Sequence, residues 1–179
     1  MPGNATVTLR ARTEADVDVL YAVASDLETW EERRPSLPAP LTRKAFEDRL
    51  AEVDSGADKG MDFVVEADGD AVGSVSLFSF DDLARHAEVG IALRADARGR
   101  GIGTAAIEQI LRFAFVRCNL RRVHLQAIAS NAAAVRAYEK AGFVVEGRLR
   151  EHAWVRGRYE DIVVMGMLRP EWEARHPTS

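Results

Sequence analysis

Hydrophobic positions alternate with polar ones in some stretches of the chain and recur at helical spacing in others, which predicts a mixture of strands and helices. Residues 6–10 alternate and predict a first strand. Two helices follow, the first opening near Thr13 and the second at Thr42. Two apolar runs then flank Asp68-Gly69, a strong turn signal, and predict a β-hairpin.

The second half of the chain alternates between strand and helix patterns. An apolar strand over residues 87–93 precedes a helix over residues 105–116, which is apolar on more than one side and should be largely buried. The next strand covers residues 123–128, and a crossover of this length predicts a right-handed parallel pair. A helix over residues 131–140 and a long hairpin turning near Gly157 complete the order β-αα-βββ-α-β-α-ββ.

A glycine-rich loop joins the strand over residues 87–93 to the helix after it. The loop reads Arg98-Gly99-Arg100-Gly101-Ile102-Gly103-Thr104. Glycine lets the backbone approach a ligand closely, and a helix N-terminus offers N–H groups and the positive end of its dipole. The loop therefore predicts a site for an anion such as a phosphate or pyrophosphate. A glycine-rich helix start without a ligand is the alternative.

Two familiar phosphate loops do not fit. A P-loop requires a lysine after its last glycine, whereas Gly103 is followed directly by Thr104. The dinucleotide fingerprint requires a glycine where Thr104 stands and an acid about 20 residues further on, whereas the next strand is approached through Arg121 and Arg122. The pattern that remains is Arg-x-x-Gly-x-Gly over residues 98–103.

A second motif lies on the predicted helix over residues 131–140. Four of its residues share one face, because they are spaced i, i+3, i+4 and i+7: Asn131, Ala134, Val135 and Tyr138. The amide and the phenol then lie about 10 Å apart along the axis, and Gly142 ends the helix. A face that carries both groups is unusual for a helix that only packs against the core. For Tyr138 taken by itself, a buried tyrosine with a hydrogen-bonded hydroxyl is an alternative explanation.

Both motifs resemble cofactor-binding segments of the GNAT acetyltransferases. The glycine-rich loop resembles the acetyl-CoA loop of that family. The helix motif resembles the family's second segment, Asn…Tyr…Gly-Phe, which ends here at Phe143. The resemblance covers about residues 9–172. It implies an α+β fold with a mixed, mostly antiparallel seven-stranded sheet, a central parallel pair and about four flanking helices. We expect one such domain over residues 1–179, with its core at about residues 7–170. Residues 152–161 resemble the branch that acetylates ribosomal-protein N-termini, polyamines, amino acids and antibiotics.

The resemblance implies a reaction in which acetyl-CoA is the co-substrate and the acetyl group passes directly to a primary amine, without a metal. The implied cofactor-binding residues are Ile91, Ala92, Leu93, Arg98, Gly99, Arg100, Gly101, Ile102, Gly103, Thr104, Asn131 and Lys140. Backbone groups of residues 91–93 would pair with the pantetheine arm, N–H groups of residues 98–104 would hold the pyrophosphate, and Asn131 would bond the pantetheine. Lys140 either contacts a CoA phosphate or is simply exposed to solvent at the end of the helix.

The same resemblance implies roles for two further side chains. Tyr138 occupies the position of the general acid, and a phenol pKa of about 10 is near enough to a thiol's of about 8.5 to protonate the departing thiolate. Glu88 is the base candidate, directly or through water, although strand alternation also permits a solvent-facing role. The Leu93 N–H is the candidate donor to the developing oxyanion. His86 is a weaker candidate base.

The acceptor amine should lie near three segments outside the two motifs. One of them, residues 28–40, carries three prolines that predict an ordered loop or a broken helix. The candidate acceptor-binding residues are Trp30, Glu31, Arg34, Phe80, Asp82, His152 and Tyr159. The pattern does not choose among protein N-termini, polyamines, amino acids and antibiotics as acceptors. A second hypothesis is a non-catalytic acyl-CoA-binding sensor or interaction domain.

Composition limits the remaining possibilities. The chain is 47% hydrophobic and 29% charged, as in ordinary globular domains. A net charge of −4 argues against nucleic acid and membrane surfaces as partners. The single cysteine, Cys118, excludes an internal disulfide, and we expect a cytoplasmic protein without a metal site. A homodimer is an expectation from the family alone.

Overall fold

The computed structural model describes residues 5–33, 39–56 and 59–177. Its centre is a seven-stranded sheet in the order β1-β2-β3-β4-β5-β7-β6. The strands are β1 (Val7–Arg10), β2 (Met61–Ala67), β3 (Asp70–Asp81), β4 (His86–Leu93), β5 (Arg122–Ile128), β6 (Val144–Val155) and β7 (Arg158–Leu168). Neighbouring strands are antiparallel except β4 and β5, which are parallel, so the expected mixed sheet with one central parallel pair is confirmed.

Six α-helices lie in the described part of the chain, two more than the sequence pattern predicts. They are α1 (Val17–Ser25), α2 (Leu27–Arg33), α3 (Arg43–Asp54), α4 (Ile102–Arg112), α5 (Ala132–Ala141) and α6 (Arg169–Arg175). The additional helices are α2, which forms within the stretch expected to be a loop or broken helix, and α6, which follows the last strand. Within the described residues, no helix is long and apolar enough to cross a membrane.

The predicted turn and cap signals hold in the structure. Asp68 and Gly69 have φ values of 53° and 92°, the left-handed geometry that a two-residue hairpin turn requires. Asp16 and Thr13 form a capping box before α1, and the Thr42 hydroxyl accepts from the Ala45 N–H at 3.2 Å. These local signals set where the first hairpin and two of the helices begin.

The sheet separates two apolar clusters, because successive strand residues point to opposite faces. On β2, Val65 faces the main core, where α4 packs against β3, β4 and β5, while Val64 faces a smaller cluster with α1 and α3. The main core is closed by large buried side chains of α4: Ile102, Ile107, Ile110 and Leu111. Since α4 is also the crossover between β4 and β5, this packing fixes the position of the parallel pair.

The helix α4 is shorter than predicted. It ends at Arg112 and continues as a wider turn over Phe113–Arg117, in which the Cys118 N–H bonds the Phe113 carbonyl at 3.1 Å. Ala114 and Phe115 are both fully buried within this turn. Two consecutive residues of the wider turn therefore face the core, as Ile110 and Leu111 do in the helix before it.

A close backbone contact holds β3 against the end of β4, and it predicts a sharp difference between two glycine variants. A Cβ at Gly73 would lie 2.0 Å from the Ala92 carbonyl oxygen, whereas a Cβ at Gly147 would meet no described heavy atom within 4 Å. Gly73→Ala should lower the free energy of unfolding by about 2 kcal/mol or more, because backbone cannot yield as a side chain can. Gly147→Ala should stay within about 0.5 kcal/mol of wild type.

Urea unfolding of the two variants measures this difference. Equal midpoints for Gly73→Ala and Gly147→Ala would contradict the close approach of β3 to β4.

Candidate active site

The parallel strands β4 and β5 pair over only part of their length. Their register comprises His86 with Arg122, Ala87 with Val123 and Glu88 with His124. Beyond that point β4 continues beside β3 as far as Leu93, and β5 continues beside β7 as far as Ile128. The two strands therefore part after Glu88 and leave a gap in the middle of the sheet.

Alternation of the backbone decides which groups of β4 face this gap. The Arg94 N–H bonds the Val72 carbonyl at 2.8 Å and so points toward β3. Because every second residue directs its N–H and C=O to the same neighbour, Ala92 also points toward β3, while Ile91 and Leu93 point toward the gap. The expectation that Ala92 offers backbone groups to a ligand is therefore corrected, since its groups belong to the β3 pairing.

The glycine loop after β4 forms an open cradle at the start of α4. Gly99 and Gly101 have φ values of 71° and 78°, and a Cβ on either would meet no described heavy atom within 4 Å. The first helical bond runs from the Ala105 N–H to the Gly101 carbonyl at 3.0 Å, so the N–H groups before it lack intrahelical acceptors. This geometry fits an anion held by backbone groups.

The cradle begins one residue later than expected. The Arg98 N–H donates to the Ala95 carbonyl at 3.3 Å and closes the short turn over Ala95–Ala97. The backbone group of Arg98 is therefore used within the turn, which corrects its expected place among the phosphate-binding amides. The expected phosphate-binding amides that remain are those of residues 99–104.

The helix α5 begins with a cap formed by Asn131. The Asn131 side-chain oxygen accepts from the Ala134 N–H at 3.2 Å, so the group that Asn131 can offer a ligand is its amide NH₂. Gly142 ends the helix with a φ of 103°, as predicted. Lys140 is exposed on the last turn, and its carbonyl accepts from the Arg175 guanidinium at 2.8 Å.

Tyr138 lies two turns along α5 and is half-buried. Its ring packs against the main core beside Val135 and meets the Phe143 ring edge to face, with the ring centroids 6.0 Å apart. The core contact fixes the ring, so the phenol has a defined position on the face that also carries Asn131.

Glu88 lies where the pairing of β4 with β5 ends, on the face of the sheet opposite the main core. Its neighbours Ala87 and Val89 are buried in that core, while Glu88 itself is half-buried. Burial raises the pKa of the Glu88 carboxyl above its ordinary value. The alternative of a fully solvent-facing glutamate is therefore not what the structure shows.

A histidine that the motifs did not indicate lies beside Glu88. His124 is its register partner on β5, and the His124 ring meets the His86 ring edge to face at 5.2 Å between centroids. Burial lowers the pKa of His124, and the charges of Arg122 and His86 lower it further. The side-chain Nδ1 of His86 is buried without a hydrogen-bond partner among the described residues.

The expected acceptor residues do not all come together. Glu31 and Trp30 lie in α2, which packs against β5 and β6, whereas Arg34 lies outside the described residues. His152 and Tyr159 are exposed on the β6–β7 hairpin. This hairpin and α2 are the acceptor-side elements that lie near the gap.

Phe80 and Asp82 lie at the end of β3 and in the turn that leads to β4. They line a pocket of about 570 Å³ at the amino end of β4, together with Cys118, and Asp82 forms an ion pair with Lys59 at 2.7 Å. The gap begins after Glu88 and extends toward the carboxyl end of β4. Their separation follows from β4 running away from the β3–β4 turn, a direction that spacing along the chain does not reveal.

The comparisons with known proteins agree with this architecture. Residues 6–144 match the model of the acetyltransferase (GNAT) domain, so the chain belongs to the GNAT acetyltransferase family. Among curated relatives, "Putative ribosomal N-acetyltransferase YdaF" of Bacillus subtilis (strain 168) is 35% identical over 106 residues, which are 59% of this chain and 58% of that one. Spermidine N(1)-acetyltransferase of Escherichia coli (strain K12) is 32% identical over 116 residues, 65% of this chain and 62% of that one. The chain thus spans less than two thirds of the length of either relative.

Solved structures extend the similarity over nearly the whole fold. The spermidine N-acetyltransferase from Vibrio cholerae, crystallised in complex with CoA and spermine, superposes with a TM-score of 0.83 and 27% sequence identity. The match covers 93% of this chain and 97% of that one.

The half-buried position of Glu88 predicts a raised pKa for its carboxyl group. Its carboxyl should stay protonated to a higher pH than the ordinary glutamate value of about 4.3, because desolvation penalises the charged form. A carbon-13 NMR titration of the free protein measures the midpoint, with Glu88→Gln identifying the resonance by its loss. A midpoint at or below the ordinary value would contradict the desolvated site.

Proposed function

We propose that the chain is an acetyl-CoA-dependent N-acetyltransferase that transfers an acetyl group directly to a primary amine. The observation that carries the proposal is the gap between β4 and β5, where the backbone edge at Ile91 and Leu93 leads directly to the glycine cradle. An extended arm followed by a pyrophosphate matches this arrangement, because the first needs strand-like backbone partners and the second needs clustered N–H groups.

The proposed cofactor site uses backbone more than side chains. Ile91 pairs with the pantetheine arm, the Leu93 N–H faces the thioester end of the arm, the amides of residues 99–104 hold the pyrophosphate, and the Asn131 NH₂ donates to the arm. The similar enzyme from Vibrio cholerae was crystallised with CoA, which supports CoA as the ligand of this site. When bound, acetyl-CoA supplies a thioester carbonyl and a thiolate leaving group.

Glu88 is the proposed base. An alkyl ammonium has a pKa of about 10.4, so the acceptor amine must lose a proton before it attacks. The raised pKa of Glu88 strengthens it as an acceptor of that proton, and its position at the start of the gap places it on the acceptor side of the sheet. The neutral form of His124, favoured by its lowered pKa, avoids a competing positive charge beside the amine.

Leu93 and Tyr138 complete the proposed chemistry. The Leu93 N–H points into the gap and stabilises the negative charge that develops on the thioester oxygen. Tyr138, fixed by its packing against the core, donates its phenolic proton to the departing sulfur. The amine attacks the thioester carbonyl directly, and the phenol protonates the departing sulfur, so the transfer needs no acyl-enzyme.

The proposed acceptors are protein N-terminal amines or small molecules such as polyamines, amino acids or antibiotics. Relatives named for spermidine and for ribosomal N-acetylation support amines as the class. The acceptor would lie on the sheet face that carries Glu88, under α2 and beside the β6–β7 hairpin.

A thiol-release assay tests the function. The protein is mixed with acetyl-CoA and a panel of peptides, polyamines, amino acids and aminoglycosides, and free CoA is followed with a thiol reagent. Amine-dependent release is the expected result. Acetyl-CoA binding by calorimetry without release across the panel would overturn the proposal and favour a non-catalytic sensor.

Replacing Tyr138 with Phe should separate chemistry from binding. Loss of the phenolic proton should lower kcat by about 100-fold or more, while the Kd for acetyl-CoA stays near wild type, because the ring still packs against the core. Steady-state kinetics and calorimetry measure the two quantities.

The matched control is Tyr21→Phe. It also removes one phenolic hydroxyl, which donates to the Leu41 carbonyl at 2.9 Å in the small cluster with α1 and α3. Its kcat should be unchanged. Full kcat in Tyr138→Phe would remove Tyr138 from the mechanism.

A further inference from the structure

The side chain of Arg98 points away from the phosphate cradle and joins two separate parts of the molecule. Its Nε donates to the Leu93 carbonyl at 3.1 Å, and its Nη2 donates to the Thr29 hydroxyl at 2.7 Å. Leu93 ends β4 at the gap, and Thr29 lies in the first turn of α2. One guanidinium therefore connects the cofactor side of the site to the helix on its acceptor side.

The bond to Thr29 ends in a buried polar network. Thr29 is only 4% exposed, its hydroxyl donates to the Asp26 carboxylate, and its N–H donates to the same oxygen at 3.0 Å. Asp26 directly precedes α2, so its carboxylate caps that helix. The bonds from Thr29, with the charge of Arg98, hold the pKa of Asp26 below its ordinary value. The charged carboxylate thus fixes the start of α2 and the hydroxyl that Arg98 contacts.

The hydrogen bonds of Arg98 link the gap to α2, a helix that contacts neighbouring strands. The helix packs against β5, which borders the gap, and against β6, and it carries two of the expected acceptor-binding residues. The carbonyl of Leu93, which faces the gap, is occupied by Arg98, and this leaves the Leu93 N–H as the group directed at a ligand there. Any shift of Leu93 on cofactor binding is then passed through two directed hydrogen bonds to α2.

We propose that Arg98 is a positioning residue that couples occupation of the cofactor cradle to the ordering of α2, so that the acceptor site is completed only after the cofactor binds. This inference rests on the proposed function and concerns the same site. The planar guanidinium suits the task because it holds two donors in a fixed relation, which an ammonium cannot do. Coupling of this kind is reciprocal between the two binding events and typically amounts to about 5- to 150-fold in affinity.

The test removes the Thr29 hydroxyl, and with it the bonds to Arg98 and Asp26, and leaves the rest of the network in place. Thr29→Val keeps the shape of the buried side chain and deletes the hydroxyl that joins Arg98 to Asp26, while the bond from Arg98 to Leu93 remains possible. The matched control is Thr8→Val, which deletes a hydroxyl bonded to the Glu66 carboxylate at 3.3 Å on an exposed part of β1.

The first readout is hydrogen exchange in α2, which does not require turnover. Coenzyme A should slow amide exchange over α2 in the wild type and in Thr8→Val. In Thr29→Val, exchange over α2 should be faster and should not respond to coenzyme A, although calorimetry shows a Kd for coenzyme A within about threefold of wild type.

The second readout is a split between kinetic constants. In Thr29→Val the KM for the acceptor amine should rise about tenfold while kcat changes by less than about threefold. Arg98→Lys, which keeps the charge but loses the paired donors, should behave in the same way.

The outcomes separate the two proposals. If coenzyme A binds the wild type but leaves α2 exchange unchanged, or slows it equally in Thr29→Val, the coupling is wrong and the proposed function stands. If coenzyme A does not bind the wild type, the proposed function itself fails.

Discussion

The parting of β4 and β5 is the constraint on which the site depends. A parallel pair ordinarily continues its hydrogen bonds along both strands, yet here the pairing stops after Glu88 while each strand stays bonded to its outer neighbour. Backbone groups in the middle of a sheet need partners, so such a gap is stable only when water or a ligand supplies them. An extended ligand that replaces the missing strand satisfies this requirement, and α4, packed into the core, keeps the strands in place around it.

The remaining parts of the site follow from the direction of the two strands. Each leads into the start of a helix, so β4 delivers the cradle amides and β5 delivers the Asn131 cap to the same end of the sheet. Alternation then places Glu88 on the acceptor face, opposite the core residues that flank it. The Arg98 guanidinium adds the connection between this end of the sheet and α2. Hydrogen bonds thus link the end of β4, at the proposed cofactor site, to α2, at the proposed acceptor site.

Local signals predicted a large part of the fold. The turn at Asp68-Gly69, the helix start at Thr42, the helix end at Gly142 and the parallel crossover are all properties of a few neighbouring residues or of one spacing, and the structure confirms them. What could not be predicted depends on contacts between distant segments. The place where β4 and β5 part, the pairing of Glu88 with His124 and the direction of the Arg98 side chain require the register and the packing of α2. The position of Phe80 and Asp82 in a pocket at the amino end of β4 depends on such contacts as well.

The central claim is that the gap between β4 and β5 receives an extended cofactor arm whose pyrophosphate lies in the glycine cradle. Titration of coenzyme A into nitrogen-15-labelled protein, followed by amide exchange, tests it most directly. The account predicts that the Ile91 and Leu93 amides gain protection and that the amides of residues 99–104 shift, while Ala92, already bonded to β3, stays protected throughout. Protection of Ala92 that depends on the ligand, or binding that leaves Ile91 and Leu93 unchanged, would contradict it.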